Sequence, residues 1–219
     1  MELGLAFLIG GIVGIAMDRA ADRLPAAYHV YNAPLPYRRW LIALANAVAL
    51  AFLWTRFGAS VQLLLAAIYT VVFLLVLVID YERRVILNVV ILPAILFAAL
   101  ASPVAQIGWR RSLLGGAVAF VVVFGIYIFA EIFSRWRGLK IQGGAFGQGD
   151  VKLATFMGIV TGFPAVFPAI LYTILLGGVA AFLFLAYQLI AHRRLALTAA
   201  IPYGPFFCIA GWALMVFGK

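Results

Sequence analysis

The sequence predicts an all-α polytopic membrane protein with about eight transmembrane helices. Three observations carry that reading. Apolar residues make up 67 % of the 219-residue chain and charged residues 11 %, against roughly half and a quarter in a soluble domain. The apolar residues gather in runs close to the length of about 20 that one helix needs to cross a bilayer. Lysine and arginine are shared unequally between alternate connections of those runs, the pattern by which membrane proteins set their orientation.

The runs lie at about 2–20, 40–57, 60–80, 85–102, 111–133, 150–163, 166–190 and 200–217. They leave no room for a soluble domain, so the chain reads as one membrane domain over 1–219. The first run is followed by its arginines, Arg19 and Arg23, rather than preceded by them. That is the reverse of a secretory signal and predicts a retained helix. The connection from Asp18 to Trp40 carries Pro25, Pro34 and Pro36 and reads as a short irregular cytoplasmic loop, 18–40, on the membrane surface. The third run is unbroken from Val71 to Ile79 and closes on Asp80. A second long connection, the glycine-rich cytoplasmic loop 134–149, joins the fifth run to the sixth. The sixth is the shortest. Pro164 and Pro168 disturb its end and the start of the seventh, so it need not cross fully. Gly10 with Gly14, Gly115 with Gly116, Gly158 with Gly162 and Gly177 with Gly178 mark expected helix contacts, since small residues let backbones approach in lipid.

One set of connections holds twelve bases: Arg19, Arg23, Arg38, Arg39, Arg83, Arg84, Arg135, Arg137, Lys140, Lys152, Arg193 and Arg194. The other set holds four, Arg56, Arg110, Arg111 and Lys219. The richer set is expected on the cytoplasmic side, which leaves both termini non-cytoplasmic and makes the chain a multi-pass protein of the cytoplasmic (inner or plasma) membrane, with the lipid bilayer around it. Arg110 and Arg111 run against the rule. The net charge of +9 is scattered in twos and threes rather than gathered on one face, so no nucleic-acid partner is expected. Cys208 is the single cysteine, and His29 and His192 stand apart. No disulfide framework follows, and no metal site is expected.

Only seven carboxylates occur, and an ionisable residue at membrane depth is a functional candidate by default. Glu2 is terminal. Asp18 and Asp22 lie one turn apart, with Arg19 at ion-pair spacing from Asp22, and Glu131 stands four before Arg135 in the favourable order. Glu82 has Arg83 and Arg84 beside it and reads as their partner. Asp80 and Asp150 remain. Asp150 follows Gly143-Gly144-Ala145-Phe146-Gly147-Gln148-Gly149 and leads into Val151-Lys152-Leu153; a helix cap is its plain reading. By the orientation above, both acids sit at cytoplasmic helix ends and at one depth, where separate helices can bring them together. Two carboxyls that share a site do not both ionise easily, so one holds a proton while the other is a base. Such a pair activates a water and protonates a carbonyl oxygen, which is peptide hydrolysis of the aspartic type. Ser102 and Ser112 fall on the opposite side, so no serine-histidine-acid set competes, and no Gly-Lys-Ser/Thr follows the glycine loop, which excludes a nucleotide loop. A proton- or ion-coupled transporter and a non-catalytic membrane scaffold are the alternatives. A transporter is expected to keep acids near the bilayer centre, whereas the acids here sit at run ends.

Three separated blocks of these residues resemble the type IV prepilin peptidases, intramembrane aspartic proteases marked by a Gly-x-Gly-Asp motif. Gly147-Gln148-Gly149-Asp150-Val151-Lys152-Leu153 is similar to the signature loop, and Val78-Ile79-Asp80, with Asn88 and Pro93 downstream, to the segment holding the first aspartate. Ile201-Pro202-Tyr203-Gly204-Pro205-Phe206 is similar to the last-helix motif, and Arg23-Leu24-Pro25 is a weaker fourth block. The resemblance implies Asp80 and Asp150 as the catalytic pair, with Gly147, Gly149, Lys152, Pro202, Gly204 and Pro205 as motif support around them. It implies prepilins or pseudopilins as partners, each with a hydrophobic helix and a short basic leader that is cut after a glycine at the cytoplasmic face. Many members carry two Cys-x-x-Cys pairs in the first cytoplasmic loop, and the fuller ones N-methylate the new N-terminus with S-adenosylmethionine. That loop has no cysteine here, which speaks against zinc. No cofactor is expected, and S-adenosylmethionine enters only if methylation is retained. Leu87 stands where a proline often precedes the asparagine, and Gly144 where an acid is often found.

Helix polarity adds a division of labour. Asp150 opens a helix, whose positive end favours the carboxylate, and Asp80 closes one, whose negative end favours the protonated acid. Gly143, Gly144, Gly147 and Gly149 make the loop cheap to move and are expected to let it close and carry Asp150 to Asp80.

Overall fold

The computed structural model describes residues 2–27, 36–136, 147–192 and 202–218. Within them the chain forms eight α-helices: α1 (Glu2–Ala26), α2 (Arg38–Phe57), α3 (Val61–Arg83), α4 (Asn88–Ala101), α5 (Trp109–Trp136), α6 (Gln148–Thr161), α7 (Val166–His192) and α8 (Gly204–Phe217). Five of them, α1, α2, α3, α5 and α7, are long and apolar enough to cross a membrane. The chain is therefore a multi-pass membrane protein. The apolar helices α4 and α8 have 14 residues each, about 21 Å at 1.5 Å per residue, against a hydrocarbon thickness of about 30 Å.

The sixth helix also has 14 residues and is the most enclosed. It packs against α4, α5, α7 and α8, and Leu153, Ala154, Phe156 and Met157 on it are fully buried. Protein rather than lipid surrounds α6, which is why so short a helix sits at the centre of the bundle.

Consecutive helices run antiparallel. At one end of the bundle, Arg38 at the start of α2 meets Asp18 and Asp22 of α1 and Glu82 of α3, and Lys152 of α6 meets Asn88 of α4. At the other end, Gln62 of α3 donates to Val104 O at 2.8 Å and accepts from Gln106 N at 3.2 Å. There Phe163 N, beyond α6, also donates to Arg111 O of α5 at 2.8 Å.

Several boundaries differ from the hydropathy runs. The first helix continues through Pro25 to Ala26 and the second begins at Arg38, so both ends of the 18–40 connection are helical. α5 continues to Trp136, and α8 starts at Gly204 rather than near residue 200. Hydropathy marks where a helix leaves the lipid, whereas backbone hydrogen bonding continues into the polar interface. His29, Gly143, Gly144 and Ile201 lie outside the described residues.

The glycine pairs behave as expected at two crossings. A Cβ on Gly10 or Gly14 of α1 would stand 2.7 Å from Ala47 Cα or 2.6 Å from Ala43 Cα of α2, and Asn46 Nδ2 donates to Gly10 O across that contact at 2.7 Å. Gly158 of α6 faces Gly115 of α5 so closely that its Cβ would lie 2.6 Å from Ala119 Cβ. Gly178 differs from the expectation: nothing lies within 4 Å of the position its Cβ would take, so it is not a contact.

Gly158→Val should therefore lower stability by about 1–3 kcal/mol or more, the range for overpacking. Gly178→Ala should leave it unchanged or raised by up to about 1 kcal/mol, the helix-propensity difference. Reversible unfolding in mixed micelles reads both, and a Gly158→Val chain as stable as wild type would contradict the close α5–α6 crossing.

Candidate active site

Asp80 owes its position to the end of α3. Arg84 caps that helix in the left-handed conformation (φ 54°) and returns its N–H to Asp80 O, which places Asp80 in the last turn, 5 % exposed. An acid that deep needs a donor. The donor is the first turn of α8, where Pro205, with its fixed φ, opens the helix. There Gly204 N–H, which has no partner within its own helix, donates to Asp80 Oδ2 at 3.1 Å. A Cβ on Gly204 would collide with Asp80 Oδ2 and lie 2.8 Å from its Cγ. Glycine is required here by contact with the acid. Pro202 and Pro205 flank the turn that delivers Gly204, and Pro205 is buried.

Asp150 is held by its own helix. Gly147 is the N-cap of α6, and its N–H donates to Asp150 Oδ2 at 2.8 Å, half of a capping-box arrangement. The capping role and a chemical role thus coexist in one side chain. Gly149 lies against α3–α4: its Cβ would stand 2.9 Å from Ile86 Cβ. Beyond it, Lys152 Nζ donates to Asn88 Oδ1 at 2.7 Å and ties the start of α6 to the start of α4.

The charge of Asp150 acts on Asp80, and Arg84 adds a positive field there. The buried Cys208, one turn along α8 from Gly204, lies in the field of both acids. Asp150 is part of α6, whose start is braced by Ile86 of the α3–α4 connection and Asn88 of α4, so Gly149 serves close packing there. The loop-closure expectation falls in part on Gly143 and Gly144, outside the described residues.

The remaining acids have specific partners. Arg38, its side chain 6 % exposed, donates from Nε to Asp18 Oδ1 at 2.7 Å, from Nη2 to Asp22 Oδ2 at 2.7 Å and from Nη1 to Glu82 Oε2 at 2.9 Å. Arg83 Nη2 adds a bond of 3.2 Å to Asp22 Oδ1. Asp22 is therefore matched to Arg38 and Arg83 rather than to Arg19, and Glu82 reaches across to Arg38 of α2. Sequence reasoning missed Arg38, because its partners lie 16 to 44 residues away in the chain. Glu131 and Arg135 form the pair that their spacing predicts.

Comparison with known proteins accords with this arrangement. Residues 67–182 match the model of the type IV leader peptidase family, a segment that holds both Asp80 and Asp150. The chain is 25 % identical over 164 residues to a prepilin leader peptidase/N-methyltransferase of Pseudomonas putida, covering 74 % of this chain and 53 % of that protein. It is 29 % identical over 168 residues to the protein of the same description from Bacillus subtilis, covering 74 % and 59 %, and 31 % identical over 110 residues to that of Xanthomonas campestris, covering 50 % and 34 %. The chain spans about half the length of the curated relatives it matches. No solved structure matches it.

The two ends of the Gly204–Asp80 contact should respond differently to substitution. Asp80→Asn keeps an oxygen that accepts from Gly204 N–H, so the unfolding midpoint should stay within a few degrees of wild type. Gly204→Ala drives a methyl group into the carboxylate and should destabilise by about 1–3 kcal/mol. Differential scanning fluorimetry in detergent checks both, and a Gly204→Ala chain that melts like wild type would contradict the contact.

Proposed function

Since the chain belongs to the type IV leader peptidase family, we propose that it is an intramembrane aspartic endopeptidase that removes the short basic leader from type IV prepilins or pseudopilins. The observation that carries this reading is the placing of Asp80 at the end of α3 and of Asp150 at the start of α6, at the same end of the bundle, where the charge of Asp150 acts on Asp80. Acids on separate helices at the same end of a membrane bundle are what attack on a peptide bond at a membrane face requires.

In the proposed reaction, Asp150 takes a proton from a water held between the two carboxyls, and the water oxygen attacks the scissile carbonyl carbon. Asp80 gives its proton to the carbonyl oxygen, so the tetrahedral intermediate forms without a free oxyanion. Asp150 then returns its proton to the leaving nitrogen while the C–N bond breaks, and a proton from the diol goes back to Asp80. The resting proton resides on Asp80, at the negative end of α3, while Asp150 lies at the positive end of α6. Gly147, Gly149, Lys152, Pro202, Gly204 and Pro205 support this pair by setting where α6 and α8 begin.

The proposal extends to topology. All eight helices cross or enter the cytoplasmic membrane, the acids face the cytoplasm and both termini lie on the other side, in line with the twelve-to-four partition of bases. The whole chain acts as one peptidase domain with cytoplasmic connections between α1 and α2 and between α5 and α6. The relatives' descriptions pair the peptidase with an N-methyltransferase, for which S-adenosylmethionine would supply the methyl group. The chain's single thiol, Cys208, is buried in α8, so the donors of a cysteine-liganded zinc loop are not present. The proposal is confined to cleavage without a cofactor.

Cleavage of a membrane-anchored model prepilin tests the assignment. Asp80→Asn and Asp150→Asn should each lower kcat by at least about a thousandfold, within the range for losing a general acid or base, and activity surviving either change refutes it. Infrared difference spectra should show a protonated-carboxyl band that Asp80→Asn abolishes; a band lost only in Asp150→Asn would reverse the two roles.

A further inference from the structure

A groove of about 220 Å³ opens sideways between α2, α3 and α8. Its floor is one stripe of α3, Thr70, Phe73, Leu74 and Leu77, spaced as one helix face. Ala45 and Ala49 of α2, one turn apart, form a low wall on one side, and Cys208, Ile209 and Trp212 of α8 form the other. The polar atoms inside are already paired: Trp212 Nε1 donates to Thr70 Oγ1 at 2.9 Å, and Thr70 Oγ1 donates to Ala66 O at 2.7 Å. What remains to face an occupant is apolar.

The two ends of the groove are unlike. The far end continues past Trp212 into a shallow aromatic hollow, with the Phe52 ring 6.5 Å from Trp212 and 5.6 Å from Phe217. The near end runs to the acids. Leu77 is one turn before Asp80 on α3, and Cys208 is one turn beyond Gly204, whose N–H holds Asp80. Cys208 therefore lines the groove and also lies in the field of Asp80 and Asp150. A larger cavity of about 400 Å³, beside Gln62, Gln106 and Arg111, lies at the opposite end of the bundle and does not reach the acids.

We infer that this groove seats the apolar helix that follows the scissile bond of the substrate, entering laterally between α2 and α8. The inference rests on the peptidase reading. A peptide bond that is followed directly by a membrane helix comes to Asp80 only with that helix still in lipid. The groove runs along α3 to Leu77, one turn short of Asp80. One turn of a helix about 10 Å across fills roughly 400 Å³, so the groove takes large side chains from one face of the incoming helix rather than the helix itself. Ala45 and Ala49 let its backbone approach closely. Thr70 to Leu77 spans about 10 Å, two turns of a partner helix. In lipid there is no hydrophobic gain on association, so fit of shape decides affinity. The side chains in the first two turns after the cleavage site then set substrate preference.

Filling the groove tests this. Ala49→Phe and Leu74→Trp are compared with wild type on a membrane-anchored prepilin and on a short peptide that ends soon after the scissile bond. The ratio of kcat/KM for anchored substrate over peptide should fall at least tenfold, and this ratio does not depend on the fraction of enzyme that is folded. An unchanged ratio overturns the inference. A photoreactive phenylalanine analogue is also placed at Ile209 on the groove rim, 47 % exposed, and at Phe182 on α7, 71 % exposed, in the Asp80→Asn chain so that substrate is not consumed. Substrate adducts at Ile209 and none at Phe182 are expected. Lipid adducts alone at both positions overturn the inference and make the groove a lipid site. A wild-type chain that cleaves neither substrate refutes the peptidase reading, and the crosslinks still decide the groove.

Discussion

Backbone N–H groups at helix starts hold both acids of this membrane bundle. A helix leaves its first donors unpaired, and in lipid each must find an acceptor. At the start of α6 the acceptor is Asp150, and at the start of α8 it is Asp80. At Asp80, which is buried, the need works in both directions, since a buried carboxylate is costly without donors and a helix start is costly without acceptors; at the half-buried Asp150 the bond serves as a cap. At Asp80 meeting both needs joins the end of α3 to the start of α8, while Lys152 and Gly149 tie the start of α6 to Asn88 and Ile86; the candidate site is that junction.

A second junction supports the first. Arg38 collects carboxylates from α1 and α3 at the start of α2, and its partner Glu82 lies two residues beyond Asp80. Removing one member of so buried a network leaves a charge without its partner, which commonly costs several kcal/mol. The network ties the last turn of α3 to α1 and α2, and Gly204 ties it to α8, while the groove between α2 and α8 stays open along the same helix. The short helices belong to this design. α6 is enclosed by protein, and α8 needs only to reach from the acids to the aromatic contacts at Phe217.

Much of this was legible in the sequence, for identifiable reasons. The unbroken run Val71 to Ile79 gave the end of α3 and hence the depth of Asp80, and the glycines before Asp150 gave the start of α6. Gly10, Gly14, Gly115 and Gly158 announced close crossings, because in lipid a run of small residues has few other uses. The Glu131–Arg135 pair was readable because both partners lie within one turn. The contacts of Asp22 and Glu82 with Arg38, and of Asp22 with Arg83, were not, since adjacent arginines offered plausible local pairs and these residues are distant in sequence. The role of Gly204 was visible only as part of a motif. Nothing local shows that its missing side chain makes room for Asp80.

By itself, the sequence determined the number of helices, their order, the end of the bundle to which each acid belongs and the pair of carboxylates worth examining. These follow from hydropathy, charge partition and helix-end chemistry, all of which act over a few residues. Only the tertiary structure decided that Gly204 is the donor to Asp80, that the charge of Asp150 acts on Asp80, that Arg38 gathers three carboxylates, and that a groove lies along α3 between α2 and α8. Each of those depends on where one helix end lies against another. That placement is set by packing between residues far apart in the chain, on which local pattern carries no information.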